Sequence, residues 1–105
     1  MVQHVNAEQL ESLLQTSDKA VVCDFWASWC GPCRMLAPVF ERVASKYEDQ
    51  AEFVKLNVDE ESEAAMKYGI SSIPNIIAFQ GGRVRNNSLG FVPEEALEAF
   101  VKNNL

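Results

Sequence analysis

Ala20-Val21-Val22-Cys23-Asp24-Phe25-Trp26-Ala27-Ser28-Trp29-Cys30-Gly31-Pro32-Cys33 is the stretch around which this chain is built. Ala20 to Ala27 is a nearly continuous apolar run, of the kind expected for a strand covered on both faces. A helix should begin within the cysteine motif itself, because Pro32 is tolerated in a first turn. Leu36, Val39, Phe40, Val43 and Tyr47 then follow at helical spacing. Two cysteines with two residues between them close a very small ring. Cross-link stabilisation grows with loop length and reaches roughly 3 kcal/mol only for loops of about 15 residues. The pair is therefore a poor staple and a good dithiol–disulfide switch. A Cys-x-x-Cys pair between a strand and a helix points to redox chemistry. A structural pair of buried thiols is the plainer alternative. A zinc site is another, and it would have to recruit His4 and Cys23, since no second paired motif supplies ligands.

Working outward, Asn6 has the position of an N-cap, with Gln9 three residues on and Val5 and Leu10 spaced as a hydrophobic staple. Ala7, Leu10, Leu13 and Leu14 mark one face of a helix running to about Ser17. Inside the second helix, Pro38 removes one backbone hydrogen bond and should bend it. Phe53 to Val58 reads as a strand. Asp59 is expected to cap a short third helix with Glu60, Glu61 and Glu63 in its first turn, ended by Gly69. Asn75–Phe79 and Arg83–Leu89 form a hairpin across Gly81-Gly82. A last helix has Pro93, Glu94 and Glu95 at its start and Leu97, Phe100 and Val101 as its apolar stripe. Alternating strands and helices followed by a hairpin and a helix predict an α/β fold, a mixed sheet flanked by helices on both faces.

The 105 residues fit one domain spanning the whole chain, and 48% hydrophobic content suffices for one core. A net charge of -6, with nine scattered Lys and Arg, argues against a phosphate-backbone partner, so no nucleic acid is expected. No apolar run approaches the roughly 20 residues needed to span a bilayer, so no membrane association is expected either. Met1 to Leu10 lacks a basic region followed by an apolar one, and three cysteines are too few for a secreted disulfide framework. Both point to a cytoplasmic protein. Asn86-Asn87-Ser88 matches a glycosylation pattern, but without a secretory signal it reads as a polar stretch.

The motifs resemble those of the thioredoxin family. The resemblance is carried by Asp24-Phe25-Trp26-Ala27, Trp29-Cys30-Gly31-Pro32-Cys33-Arg34, Pro38, Lys55-Leu56-Asn57-Val58-Asp59, Tyr68-Gly69-Ile70, Ile73-Pro74 and Gly90. It covers essentially the whole chain in order. It implies a thioredoxin-like three-layer fold, with a mixed five-stranded sheet and four helices. It also implies a protein-disulfide reductase that is recharged by a thioredoxin reductase, acts on disulfide-containing target proteins, maintains cell redox homeostasis and works as a monomer. The two sulfurs do the chemistry, so neither metal nor organic cofactor is expected. Asn75, Ser72 and Phe91 depart from the family's usual residues near the expected substrate surface, so they bear on partner preference and leave the chemistry alone.

Within that frame each residue has a role and an alternative. Cys30 is the expected nucleophile, since a helix N-terminus favours thiolate. Cys33, one turn further in, is placed to resolve the mixed disulfide. Gly31-Pro32 adds no charge or acidic proton; in related folds a His at the position of Pro32 goes with oxidising proteins, so the resemblance implies a reductant. Asp24 is either an edge-strand carboxylate reaching water or a buried carboxyl with a raised pKa that exchanges a proton with Cys33. Lys55 either offsets that charge or is a solvated surface cation. By resemblance, Pro74 is a cis proline that sets the Ile73 backbone beside the sulfurs, against the alternative of a trans proline starting a strand. Trp29, Gly31, Pro32, Ile73, Pro74 and Gly90 form a docking rim by the same resemblance, with Val58 and Leu89 equally assignable to the core. Cys23 is a small buried hydrophobe or a regulatory thiol. Two further functions stay open: a binding module that uses the same rim within an assembly, and an oxidase or isomerase distinguished by its reduction potential.

Overall fold

The apolar run from Ala20 lies at the centre of a five-stranded sheet. A computed structural model describes residues 2–105. The elements in order are β1 (Gln3–His4), α1 (Ala7–Thr16), β2 (Ala20–Trp26), α2 (Gly31–Tyr47), β3 (Ala51–Asn57), α3 (Ser62–Lys67), β4 (Asn75–Gln80), β5 (Arg83–Leu89) and α4 (Glu94–Asn103). The strands lie in the order β1-β3-β2-β4-β5. β2 runs parallel to β3 and antiparallel to β4, and β4 turns back into β5. The expected mixed sheet with four helices is what forms. With strands on both its sides, β2 is no edge strand, and the water-reaching alternative for Asp24 falls with that.

Alternation along β2 divides the core in two. Ala20 and Val22 face a cluster with Leu36, Val39, Phe40 and Val43 of α2 and Leu97 and Val101 of α4. Val21, Cys23 and Phe25 face the other side, against Leu10 and Leu14 of α1 and Ala64 of α3. A continuous apolar run is needed because both faces of the strand are covered.

Local sequence starts and stops these elements. Asn6 Oδ1 accepts from the Gln9 N–H and Gln9 Oε1 from the Asn6 N–H, both at 2.8 Å, so the capping box is complete. α2 continues through Pro38, which has no N–H to give the Arg34 carbonyl. Gly81 and Gly82, with φ of 62° and 77°, make the tight hairpin between β4 and β5. Arg42 and Lys46 of α2 both bond Glu94, at 2.7 and 3.1 Å, and tie α4 to the same face.

β3 runs over Ala51–Asn57, where Phe53 to Val58 was expected, and the start of α3 departs further. Asp59 caps no helix: α3 begins at Ser62, with Glu61 at its N-cap and Glu60 in the preceding turn. The Asp59 N–H is taken by Asn57 Oδ1 at 2.9 Å, so the chain turns at the end of β3 before it can start a helix. Glu63 alone of the three glutamates sits in the first helical turn.

Candidate active site

The sulfurs sit where β2 gives way to α2. Cys30 is the N-cap of α2 and its Sγ accepts from the Cys33 N–H at 3.2 Å. Pro32 lies in the first turn, where its missing N–H costs no helical bond. A sulfur at this position faces the free N–H groups and the positive end of a helix of 17 residues, which stabilise a negative charge on it. Cys30 and Cys33 are joined as a disulfide. They are only 4% and 3% exposed, packed with Ala27 against Trp26, Val58 and Ile73. Of the two residues left open between rim and core, Val58 thus packs beneath the sulfurs, whereas Leu89 is exposed.

A second segment closes on the pair. Ile73–Pro74 is a cis peptide bond, as the resemblance implied. The Ile73 carbonyl oxygen lies 3.8 Å from Cys30 Sγ. The Gly90 N–H donates to the Pro74 carbonyl at 2.8 Å, so the end of β5 holds this loop against the site. Gly90 has φ of 84°, a conformation costly for a residue with a Cβ. On the other side, Trp29 is 67% exposed, and its Nε1 donates to Asp59 Oδ2 at 2.8 Å. The structure therefore brings Trp29, Gly31, Pro32, Ile73, Pro74 and Gly90 around the sulfurs.

Beneath them lies Asp24, 0% exposed, with both oxygens lacking a hydrogen-bond partner among the described residues. Its strand face follows from its neighbours. Val22 packs under the body of α2 and Trp26 packs against the cysteines, so Asp24 lies between the two. Burial pushes its carboxyl from the ordinary 3.8 up to about 6, against the opposing pull of Lys55. Asp24 pairs in register with Lys55 of β3. Lys55 is itself buried, with Nζ 5.0 Å from the centre of the Trp26 ring, so the solvated-surface alternative for it falls. The Trp26 Nε1 is also buried and unpartnered among the described residues. Cys23 points into the opposite cluster, fully buried. Burial, reinforced by the charge of Asp24, holds its thiol well above its usual range.

Against known proteins, the family model described as Thioredoxin matches residues 1–103. The chain belongs to the thioredoxin family. It is 46% identical to the thioredoxin of Bacillus subtilis over 91 residues, covering 87% of this chain and 88% of that protein. It is 52% identical over 82 residues to the thioredoxin of Alicyclobacillus acidocaldarius, 78% of each chain. A chloroplastic M-type thioredoxin of Chlamydomonas reinhardtii is 42% identical over 101 residues, 96% of this chain and 72% of that one. Membership and the Cys30–Cys33 pair make this protein a thiol–disulfide oxidoreductase of the disulfide-reductase kind.

Two contacts of the site escaped the sequence reading. Asp59 anchors Trp29, where a helix cap was expected. The contact follows from the parallel register of Trp26 with Asn57, which runs both strand ends on to the same edge of the sheet, and no local sequence signal announces that register. Asn75, noted only as a departure, is buried and accepts from Asn87 Nδ2 across the hairpin at 3.4 Å.

Proposed function

We propose that this chain is a general protein-disulfide reductase acting through a Cys30 mixed disulfide resolved by Cys33. A thioredoxin reductase recharges it, and it maintains redox homeostasis as a cytoplasmic monomer. The observation that carries the reading is a sulfur at the N-cap of α2, hydrogen-bonded by the Cys33 N–H and flanked by the Ile73 carbonyl.

In the dithiol form, the Cys30 thiolate attacks one sulfur of a target disulfide. The other target sulfur leaves as thiolate, and a Cys30–target disulfide forms. The Ile73 backbone and the Trp29 face hold an extended target segment by main-chain pairing and apolar contact. Cys33 then gives its proton to Asp24 and attacks Cys30 Sγ. The second target sulfur departs and takes up a proton, and two electrons have passed to the target. Asp24 suits the acceptor role because burial raises its affinity for a proton toward neutral pH. Lys55 limits that rise and keeps the carboxyl able to cycle. No step calls on a metal or an organic cofactor.

The test is reduction of insulin disulfides, with a thioredoxin reductase and its electron donor regenerating the dithiol. Turnover that vanishes in Cys30→Ser supports the reading. An intact, reduced protein that leaves insulin disulfides unbroken removes it.

A further inference from the structure

The acids of this chain are less evenly spread than its cations. Between Glu63 and Glu94 there is no Asp or Glu at all, although the chain has 15 of them. The same stretch holds Lys67, Arg83 and Arg85. Lys67 is paired with Glu11 at 3.3 Å. Arg83 forms no ion pair among the described residues, and Arg85 bonds only the neutral Gln80, at 2.6 Å. Gln80 in turn reaches the Leu105 carbonyl oxygen at 3.3 Å. A protein of net charge -6 thus keeps two uncompensated guanidinium groups on one strand.

That strand is β5, the open edge of the sheet. Among the described residues it pairs only with β4, and along its length Val84 and Leu89 expose apolar side chains. A bulge interrupts it at Arg85, where the pairing shifts from Ala78–Asn86 to Phe79–Val84; on either side of the bulge the outward N–H and C=O groups are available to a further strand. The Asn87 N–H is covered by Asn86 Oδ1 at 2.9 Å, an amide that must swing aside for pairing. The strand also leads to the sulfurs. Leu89 pairs with Asn75, the residue after Pro74, and the adjoining Gly90 N–H bonds the Pro74 carbonyl.

We propose that β5 is a docking edge for an extended, acidic segment of the target protein, laid along the strand with its carboxylates at Arg83 and Arg85 while its disulfide meets Cys30. The proposal rests on the reductase reading. The occupant follows from charge complementarity and from continuity with the rim: two unpaired cations, no neighbouring acid in sequence, and an open backbone that ends at the Ile73–Pro74 loop. Edge strands also carry charge to deter self-pairing. That role predicts effects on association and none on choice of substrate.

At about 3.4 Å per residue, the strand from Leu89 to Arg83 spans about 20 Å, or about six residues. About two more carry the segment past the Ile73–Pro74 loop to Cys30, so the acids belong about eight residues from the target cysteine. The probe is a synthetic peptide with one cysteine held as a mixed disulfide with thionitrobenzoate. One version has glutamate pairs about eight residues to either side of the cysteine, and its twin has glutamines there. Attack of reduced Cys30 on the peptide sulfur releases thionitrobenzoate, and stopped-flow absorbance gives the second-order rate constants.

At low ionic strength the glutamate peptide should react about fivefold faster than its twin, as two exposed ion pairs allow, with the ratio falling toward one in high salt. In Arg83→Glu/Arg85→Glu the ratio should drop below one, and in Arg83→Gln/Arg85→Gln it should approach one. Equal ratios in all three folded proteins overturn the docking edge, including the case where the variants only associate more readily. If the natural protein reduces neither peptide, the reductase reading fails instead.

Discussion

Replacing Asp24 by Asn separates what this residue does for folding from what it does for chemistry. A carboxyl whose folded pKa is raised makes the native state less favourable as pH climbs from the unfolded value to the folded one. Below the ordinary 3.8 the proton is bound in both states. Between 3.8 and about 6 the unfolded chain ionises while the buried Asp24 stays protonated, so stability falls. Above that range the loss is complete. At about 1.36 kcal/mol per pH unit the displacement of Asp24 amounts to about 3 kcal/mol.

The amide introduced by Asp24→Asn cannot ionise and escapes that loss, but it is buried without partners, at a pH-independent cost of about 1–3 kcal/mol. The two effects are told apart by their pH dependence. Urea denaturation of the oxidised proteins, in which Cys30 and Cys33 do not titrate, should be run from about pH 4 to about pH 8. Across that range the natural protein should lose about 2.4 kcal/mol relative to Asp24→Asn, the first part of the full loss having occurred below about pH 4. The variant should also reduce disulfides at least about tenfold more slowly near neutral pH, since the proton acceptor for Cys33 is gone. Parallel stability curves would show that Asp24 is not displaced upward. An unchanged rate would show that Cys33 does not use it.

Three further outcomes follow. Cys33→Ser should form the mixed disulfide with a target and fail to release it, so a covalent adduct of Cys30 with the target accumulates and is visible by mass; release at the normal rate would remove the resolving role. Cys23 in the folded, reduced protein should resist alkylation while Cys30 reacts, because burial and Asp24 together disfavour its thiolate; equal labelling would overturn its assignment to the core. Gly82→Ala should destabilise the fold by about 2 kcal/mol, because φ is 77° and a Cβ there would lie 3.2 Å from the Leu14 carbonyl oxygen. An unfolding midpoint unchanged in Gly82→Ala would mean that the hairpin adjusts freely.

Much of the fold was legible because local and tertiary signals agree. The run from Ala20 reads as a doubly covered strand and is one; Asn6 and Gln9 announce a helix start that the capping box delivers. The two cysteines and the resemblance located the site. The start of α3 was misread because three acids after Asp59 imitate a first helical turn, whereas the turn at Asn57 delays the helix until Ser62. The burial of Lys55 was hidden for another reason. Nothing local tells a lysine whether the strand beside it is covered; the parallel pairing of β3 with β2 and the Trp26 ring decide that. The contact of Trp29 with Asp59 depends on strand register, which a single sequence does not display.

The placement of Asp24 shows why a reductase site takes this form. A buried carboxylate on the central strand with no hydrogen-bond partner among the described residues weakens the fold at neutral pH, and an apolar side chain of similar volume would avoid that loss. Under the proposed mechanism the same burial suits it to take a proton from a thiol, since water is kept away and its pKa moves toward neutrality. The two sulfurs meanwhile need different surroundings. In that mechanism Cys30 is approached from outside, over Trp29 and Ile73, and Cys33 loses its proton inside. A strand running directly into a helix N-terminus satisfies both demands. It sets one cysteine at the cap, the other a turn deeper, and a carboxyl of the same strand below them. Moving Asp24 by one residue would turn it into the opposite cluster, where Cys23 and Phe25 lie against α1 and α3, away from α2 and its sulfurs.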